Sequence, residues 1–418
     1  MNLLQDLENR GLLYQVTDRE ALEKLLEEEK IALYCGFDPT GDSLHIGHLV
    51  TIVTMRRFQL AGHTPIALVG GGTGMIGDPS GRSTERNLNE LSIVQEWSEK
   101  IKRQLMKSLD FDGESPAKMM NNYDWLGKLS MIEFLRDVGK HFPVNYMLNK
   151  DSVTSRMENG ISFTEFSYMI LQAYDFLNLY EKAGCRLQIG GSDQWGNITA
   201  GLELIRRNGH EAPAFGVTFP LITKSDGTKF GKTAGEAIWL DPEKTTPYEF
   251  YQFWLNTEDR DVIRFIKYFT FISEEEVAAL EKEVETAPEK RVAQRRLAEE
   301  LTIFVHSEEA LQQAVRITEA LFSGELSELT ASDIKQGFKQ FPTYQAETKE
   351  EIGLIDLLVS AGVVSSKRQA REDIQNGAVY VNGHRITDVQ YTVTAADRIE
   401  DQFTIIRRGK KKYTLIKY

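Results

Sequence analysis

Two short segments carry the side chains best suited to chemistry on phosphorus. One is Pro39-Thr40-Gly41-Asp42-Ser43-Leu44-His45-Ile46-Gly47-His48; the other, far later in the chain, is Lys229-Phe230-Gly231-Lys232-Thr233. Two imidazoles and two ammonium groups gripping a nucleoside triphosphate from two sides place donors where charge builds on phosphorus. His45 and His48 stand three apart at the start of a predicted helix, on one face and near the positive end of the backbone dipole. Gly47 between them, lacking a side chain, leaves room for a flat base. Two polar residues on an ordinary first turn and a merely solvated lysine loop meet the same spacing, so neither segment decides a function alone.

Other glycine-rich segments are read the same way. Gly72-Thr73-Gly74-Met75-Ile76-Gly77 has GxGxxG spacing, but Asp78-Pro79-Ser80-Gly81 follows where a dinucleotide fingerprint needs a helix, and that match is rejected. A structural turn and a ligand loop at a strand's carboxyl end both remain open. Gly231-Lys232-Thr233 resembles the end of a Walker A loop, yet Asp226 stands where that motif needs glycine, and a mobile loop presenting lysines fits better. Tyr168, Gln172 and Asp175 fall at i, i+4 and i+7, so they line a polar pocket or cap the edge of a core helix. Gly190-Gly191-Ser192-Asp193-Gln194-Trp195-Gly196-Asn197 suits a ribose or phosphate, although an N-cap at Ser192 or Asp193 explains much of it.

The elements that must position these groups form an α/β pattern. Residues 31–37 and the nearly continuous apolar 65–70 are predicted strands of a parallel sheet, with a helix over 44–61 between them. Further strands are expected over 185–189 and 215–221, and helices over 92–109, 131–140, 163–180 and 198–207. Residues 1–222 are therefore predicted to form a doubly wound, Rossmann-like parallel-sheet catalytic domain. A mobile lysine loop and connection (223–247), an α-helical domain (248–322), a flexible linker (323–351) and a small α+β unit (352–418) are expected to follow. No repeat with a period of 20 to 50 residues is present.

Bulk properties exclude several classes. Cys35 and Cys185 are far apart and in no CxxC spacing, so reduced thiols are expected; His45 and His48 lack the adjacent glutamate of a zinc-protease helix, and no metal site is assigned. No run of about 18 apolar residues spans a bilayer and residues 1–9 lack a secretory pattern, so the expectation is a cytoplasmic protein without a membrane role. The net charge of −13 argues against general adhesion to nucleic acid, but residues 361–418 carry 11 Lys and Arg against 6 Asp and Glu. Lys367, Arg368 and Arg371 on a capped helix, with Arg407, Arg408, Lys410, Lys411 and Lys412, mark a basic module for RNA on an acidic body.

Taken together, these segments resemble the bacterial tyrosyl-tRNA synthetases, which are class I aminoacyl-tRNA synthetases, along essentially the whole chain. His45-Ile46-Gly47-His48 matches the family's HIGH element and residues 229–233 its KMSKS element. Gly190-Gly191-Ser192-Asp193-Gln194 with Gln172-Ala173-Tyr174-Asp175 is typical of the tyrosine branch. Phe230 and Gly231 depart from the usual Met and Ser while both lysines persist, which bears on loop dynamics more than on chemistry. The resemblance implies that L-tyrosine is joined to AMP with release of pyrophosphate, then passed to the 3′-terminal adenosine of the tRNA for tyrosine. ATP with Mg²⁺ is the implied substrate, with no organic cofactor, and a homodimer the implied active unit.

By the same resemblance, Thr40 and His45 hold the γ-phosphate side, Lys229, Lys232 and Thr233 the departing pyrophosphate, and Arg82 and Arg86 close over it. Tyr34 and Asp175 bind the tyrosine hydroxyl; Asp78, Tyr168 and Gln172 take its ammonium group, and Gln194 lies near the reacting carboxylate. Cys35, Gly36, Asp38, Gly47, His48, Thr51, Gly191 and Asp193 belong to the ATP side. The module from 352 onward resembles an RNA-binding domain shared with a ribosomal small-subunit protein, and the helical region lies nearer the anticodon. A tryptophan-specific relative is the nearest rival, disfavoured by the pairing of Asp175 with Tyr34. An RNA-binding scaffold without catalysis is disfavoured by the intact histidines and lysines, and a nucleotidyltransferase has no evident use for the terminal module.

Overall fold

The computed structural model describes residues 2–225, 230–233 and 236–418, with Lys232 and Thr233 by backbone only. It contains two compact units, residues 1–244 with 257–297 and residues 245–256 with 298–418. The first is built on a six-stranded sheet of β1 (Gln15–Val16), β2 (Ala32–Phe37), β3 (Thr64–Val69), β4 (Lys118–Asn121), β5 (Cys185–Gly191) and β6 (Phe215–Phe219). Their order is β1-β6-β5-β2-β3-β4, and every pairing is parallel except that of β1 with β6. Ile66, Ala67 and Val69 are fully buried, as an apolar run covered on both faces requires. The chain runs outward from β2 through β3 to β4, then returns to place β5 on the other side of β2. Strand order thus reverses between β2 and β5, and their carboxyl ends frame the crevice where open α/β sheets bind ligands.

The predicted strands are present with shifts of a residue or two. Edge strands β1 and β4 escape a sequence reading because so few residues carry no detectable alternation. The predicted helix over 44–61 is shorter: a 3₁₀ turn, Ile46–His48, leads into the helix Leu49–Leu60. Val50, Ile52, Val53, Met55 and Phe58 are all buried, so this helix lies within the core rather than along its edge. The predicted helix over 131–140 breaks into Met131–Glu133, a π turn over Phe134–Val138 and a 3₁₀ turn over Gly139–His141. Its Met131, Ile132 and Leu135 are exposed, so little apolar burial supports a regular helix there. The helix Phe163–Ala183 begins at Ser162, whose hydroxyl accepts from the Glu165 N–H, and ends at Gly184 with φ +63°.

The α-helical stretch expected over 248–322 contains the helices Pro247–Leu255, Asp259–Phe269, Glu274–Thr286, Val292–Val305 and Glu308–Ser323. They do not form one body, because residues 257–297 pack with the sheet unit. Arg10 donates to the carbonyl oxygens of Thr270 (3.4 Å) and Ile272 (2.9 Å), and Phe230 stacks on Phe269.

The stretch expected to be a flexible linker is structured. It carries the helix Ala331–Gly337 and the strand Thr343–Gln345, and Ile334 and Phe338 share a buried core with Phe403, Ile405, Tyr413 and Leu415. The residues that suggested a linker have packing roles. A Cβ at Gly337 would come within 2.5 Å of Ile317 Cγ2, and the Pro342 carbonyl accepts the Leu415 N–H at 2.8 Å. Beyond it, the helices Leu354–Ser360 and Lys367–Gln375 cover a five-stranded sheet ordered His384–Ile386, Val379–Val381, Phe403–Arg408, Lys412–Lys417 and Thr343–Gln345.

Candidate active site

A cavity of about 570 Å³ opens at the β2/β5 switch point. Tyr34, Cys35, Gly36, Asp38, Thr40, His45, Gly47, His48 and Thr51 line it from β2 and the histidine turn. Asp78, Arg86, Tyr168, Gln172, Asp175, Gly191, Asp193 and Gln194 line it from the facing elements. Arg82 is exposed and outside the lining. Lys229, and with it part of the expected lysine loop, lies outside the described residues.

The two sequence motifs meet through the backbone. The Ile46 N–H donates to the Ile238 carbonyl (3.0 Å), the Leu240 N–H to that of Leu44 (2.9 Å), and the Ile238 N–H to that of Gly231 (3.0 Å). Gly231 has φ +92°, and a Cβ there would lie 3.3 Å from Ile46 Cγ1, so glycine meets both the backbone and the contact. Phe230 lines the cavity, stacks on Phe269 (centroids 5.5 Å) and meets Phe265 edge-on (5.0 Å). The departure from the usual methionine is thus filled by aromatic packing.

The histidine turn differs from a simple shared helical face. His45 is extended (φ −129°, ψ 172°), and its Nδ1 accepts the Gly47 N–H at 3.1 Å while His48 Nδ1 accepts the His45 N–H at 3.1 Å. The two rings lie 4.1 Å apart, and a Cβ at Gly47 would come within 2.7 Å of His45 Cε1. The space that glycine opens is therefore occupied by the His45 ring. Burial, reinforced by the neighbouring His45, pushes the His48 pKa down to about 3. His48 Nδ1 lies between the His45 N–H (3.1 Å) and the His45 carbonyl oxygen (3.3 Å); when it accepts from the N–H, the neutral ring carries its proton on Nε2 and acts as an uncharged donor. Pyrophosphate exchange is accordingly expected to show no break near pH 6 that disappears in His48→Ala; a pH-rate measurement on both proteins checks this. Burial pushes the Cys35 thiol up to about 12, which removes it as a nucleophile.

At the closed end of the cavity, Tyr34 is 1% exposed and its hydroxyl has no hydrogen-bond partner among the described residues. Asp175 accepts from Trp125 Nε1 (2.7 Å) and Asn122 Nδ2 (2.8 Å). Burial nevertheless pushes its carboxyl up to about 8, with these two donors opposing the shift. A bound phenol donating to Asp175 favours the ionised form, so proton release accompanies binding. Affinity for a phenolic ligand is then expected to rise with pH until about 8 and level off above it, read as a falling Kd in binding titrations over that range.

Asn122 and Trp125 were not expected from sequence. Their only signal is a position just past β4, at the carboxyl edge of the sheet, and β4 itself was not predicted.

Polar groups above the phenol end are linked to one another. Asp38 accepts from the Tyr168 hydroxyl and from Thr73 Oγ1, both at 2.6 Å, while burial pushes its carboxyl up to about 6. Asp78 accepts from Gln194 Nε2 (2.8 Å) and from the Ser80 N–H (2.9 Å). Gln172 donates to Gln194 Oε1 (3.3 Å) and accepts from Asn197 Nδ2 (3.1 Å). The Tyr168 proton is directed at Asp38, which leaves its oxygen as an acceptor; Tyr168, Asp78 and Gln172 all line the cavity and together supply acceptors suited to an ammonium group. Asp193, whose carboxyl is also raised by burial, sits beside Gln194.

In the second unit, Lys367, Arg368 and Arg371 are exposed on the helix Lys367–Gln375, and Lys410, Lys411 and Lys412 are exposed at the turn of the hairpin beside it. Arg407 and Arg408 are partly committed. The Arg407 guanidinium lies 3.8 Å over the Tyr380 ring, and Arg408 pairs with Asp373 at 2.9 Å.

A parallel sheet with a histidine turn at its switch point, tied to a lysine-bearing segment, defines a class I tRNA synthetase catalytic domain. The family described as "tRNA synthetases class I (W and Y)" matches residues 26–323, and the "Tyrosine--tRNA ligase SYY-like C-terminal domain" matches residues 333–416. The chain is 67% identical to the tyrosine–tRNA ligases of Bacillus velezensis and Geobacillus stearothermophilus, over 100% of this chain and of each relative. Among solved structures it is similar to a C-terminally truncated mitochondrial tyrosyl-tRNA synthetase of Aspergillus nidulans. That match has a TM-score of 0.70 and 32% identity and covers 77% of this chain and 94% of the other. The chain belongs to the tyrosine–tRNA ligase family of class I tRNA synthetases.

Proposed function

We infer that the protein activates L-tyrosine with ATP and transfers the tyrosyl group to the 3′ end of its tRNA. The observation that carries this reading is the closed end of the cavity, where a Tyr34 hydroxyl without a partner among the described residues and the doubly held Asp175 carboxyl await a phenol. A tyrosine bound there directs its ammonium group to Asp78, Tyr168 and Gln172 and its carboxylate, beside Gln194, toward the nucleotide side. The substrate carboxylate attacks the α-phosphorus, a new P–O bond forms, and the bond to pyrophosphate breaks. The attacking group is already ionised, so no protein base is required, and the rate comes from positioning and from donors that engage the transition state.

The nucleotide lies over Gly36, Gly47, Thr51, Gly191 and Asp193. His48 supplies its neutral N–H, Thr40 and His45 hold the γ-phosphate side, and Lys229, Lys232, Thr233, Arg82 and Arg86 take the pyrophosphate. Mg²⁺ arrives bound to the phosphates of ATP; among the described residues no three His, Cys, Asp or Glu side chains gather to hold a metal of their own. A pyrophosphate-exchange panel of amino acids tests the reading: tyrosine is expected to support exchange and tryptophan is not, and the reverse preference overturns it.

The second step needs a polyanion partner. The basic groups from Lys367 to Lys412 hold the tRNA, and the helices near 298–323 lie toward the anticodon. The working form is read as a homodimer; the exposed apolar side chains Met131, Ile132, Leu135, Val144, Met157 and Phe163, which all fall within residues 131–163, are the groups such an interface would cover. Action in the cytoplasm, beside the translation machinery, fits the absence, among the described residues, of any helix long and apolar enough to cross a membrane.

A further inference from the structure

Behind Arg86 lies a buried ion pair that does not line the cavity. The Arg156 and Glu165 side chains are 3% and 1% exposed, and Arg156 Nη1 donates to Glu165 Oε2 at 2.9 Å. The second carboxylate oxygen, Oε1, accepts the backbone N–H of Arg86 at 2.8 Å. Arg86 is held again by its side chain, Nε donating to the Asp78 carbonyl at 3.0 Å. Gly77 admits this approach: it has φ +94°, and a Cβ there would come within 2.8 Å of Arg86 Cδ. A buried ion pair is weak evidence for stability, because apolar residues of similar volume commonly do as well. The helix start is already capped by Ser162. What the carboxylate at 165 adds is an acceptor for the main chain of Arg86, at the end of an exposed segment, residues 81–85.

We propose that Glu165, fixed by Arg156, is a positioning residue for adenylate formation: it holds the Arg86 backbone so that the guanidinium stands on the pyrophosphate side of the cavity. This rests on the reading of Arg86 as a pyrophosphate ligand. Arg156 saturates the outer carboxylate oxygen and keeps the inner one aimed at the Arg86 amide. The pair thereby sets the resting geometry of a group that would otherwise be carried by an exposed segment alone.

Two double variants of the full chain separate the acceptor from the charge. Glu165→Gln with Arg156→Met removes both charges and keeps an Oε1 acceptor; Glu165→Leu with Arg156→Met removes the acceptor as well. In pyrophosphate exchange the first is expected to stay within about threefold of the parent in kcat/KM for ATP, while the second falls about ten- to a hundredfold. The Kd for tyrosine by equilibrium dialysis is expected to be unchanged in both. Arg86→Ala is expected to lose at least as much as the second variant, and combining the two to lose no more. Equal ATP kinetics in the two double variants at matched thermal midpoints overturns the proposal, as does a parallel loss of tyrosine binding, which marks a structural role. Unchanged exchange in Arg86→Ala removes the assignment of Arg86 itself, and the positioning role with it.

Discussion

Replacing Asp175 with alanine is expected to lower kcat/KM for tyrosine in pyrophosphate exchange about a hundred- to a thousandfold while KM for ATP stays within about twofold. The tyrosine hydroxyl would lose a charge-assisted acceptor in a site closed to water, and the Asn122 and Trp125 donors would be left facing a void. Tyr34 alone would remain to answer the phenol, an uncharged partner whose hydroxyl a phenylalanine ring still leaves unpaired. Discrimination against phenylalanine is therefore expected to fall along with tyrosine activity, because that discrimination comes from leaving a buried polar group unpaired. Parallel losses for tyrosine and ATP would mean instead that the site had collapsed.

The second large effect concerns the basic module. A chain ending near Gly324 is expected to retain pyrophosphate exchange within about twofold, whereas its kcat/KM for tRNA falls on the order of a thousandfold with the phosphate contacts removed. The cut has to be made there and not at residue 351. Ending at 351 would keep Ile334 and Phe338 but remove Phe403, Tyr413 and Leu415 from the core they share, leaving an apolar surface. The shorter product is accordingly expected to be the more soluble of the two. Undiminished charging by either would exclude the module from tRNA binding.

What the sequence discloses follows from how local each signal is. The row Tyr168, Gln172, Asp175 lies on one helix, so helical spacing alone places three polar groups on a common face, and the cavity receives all three. The buried strands β2 and β3 announce themselves by continuous apolar runs. Asn122 and Trp125 reach Asp175 across about fifty positions of sequence from the short helix Tyr123–Leu126 and its cap, just past an edge strand, and no local pattern points there. The same holds for Glu165, which reads as an N3 residue of a helix start until Arg86 is seen against it. Gly337 and Pro342 were misleading for the opposite reason: their types signal interruption, but here one permits a close helix approach and the other supplies a carbonyl to a strand. His45 was placed on a helix because its spacing allows it, whereas a side chain that bonds its own turn favours the extended cap position.

The core shared by the helix Ala331–Gly337 and the later hairpin also bears on synthesis. Ile334 and Phe338 leave the ribosome well before Phe403 and Leu415 exist to cover them. During that interval only Ile317, Ala320, Leu326 and Leu329 are present to pack against this helix, and the part of its surface that Phe403, Tyr413 and Leu415 later cover stays in water. A pause in translation within that stretch would prolong that exposure, whereas one just after residue 323 would not.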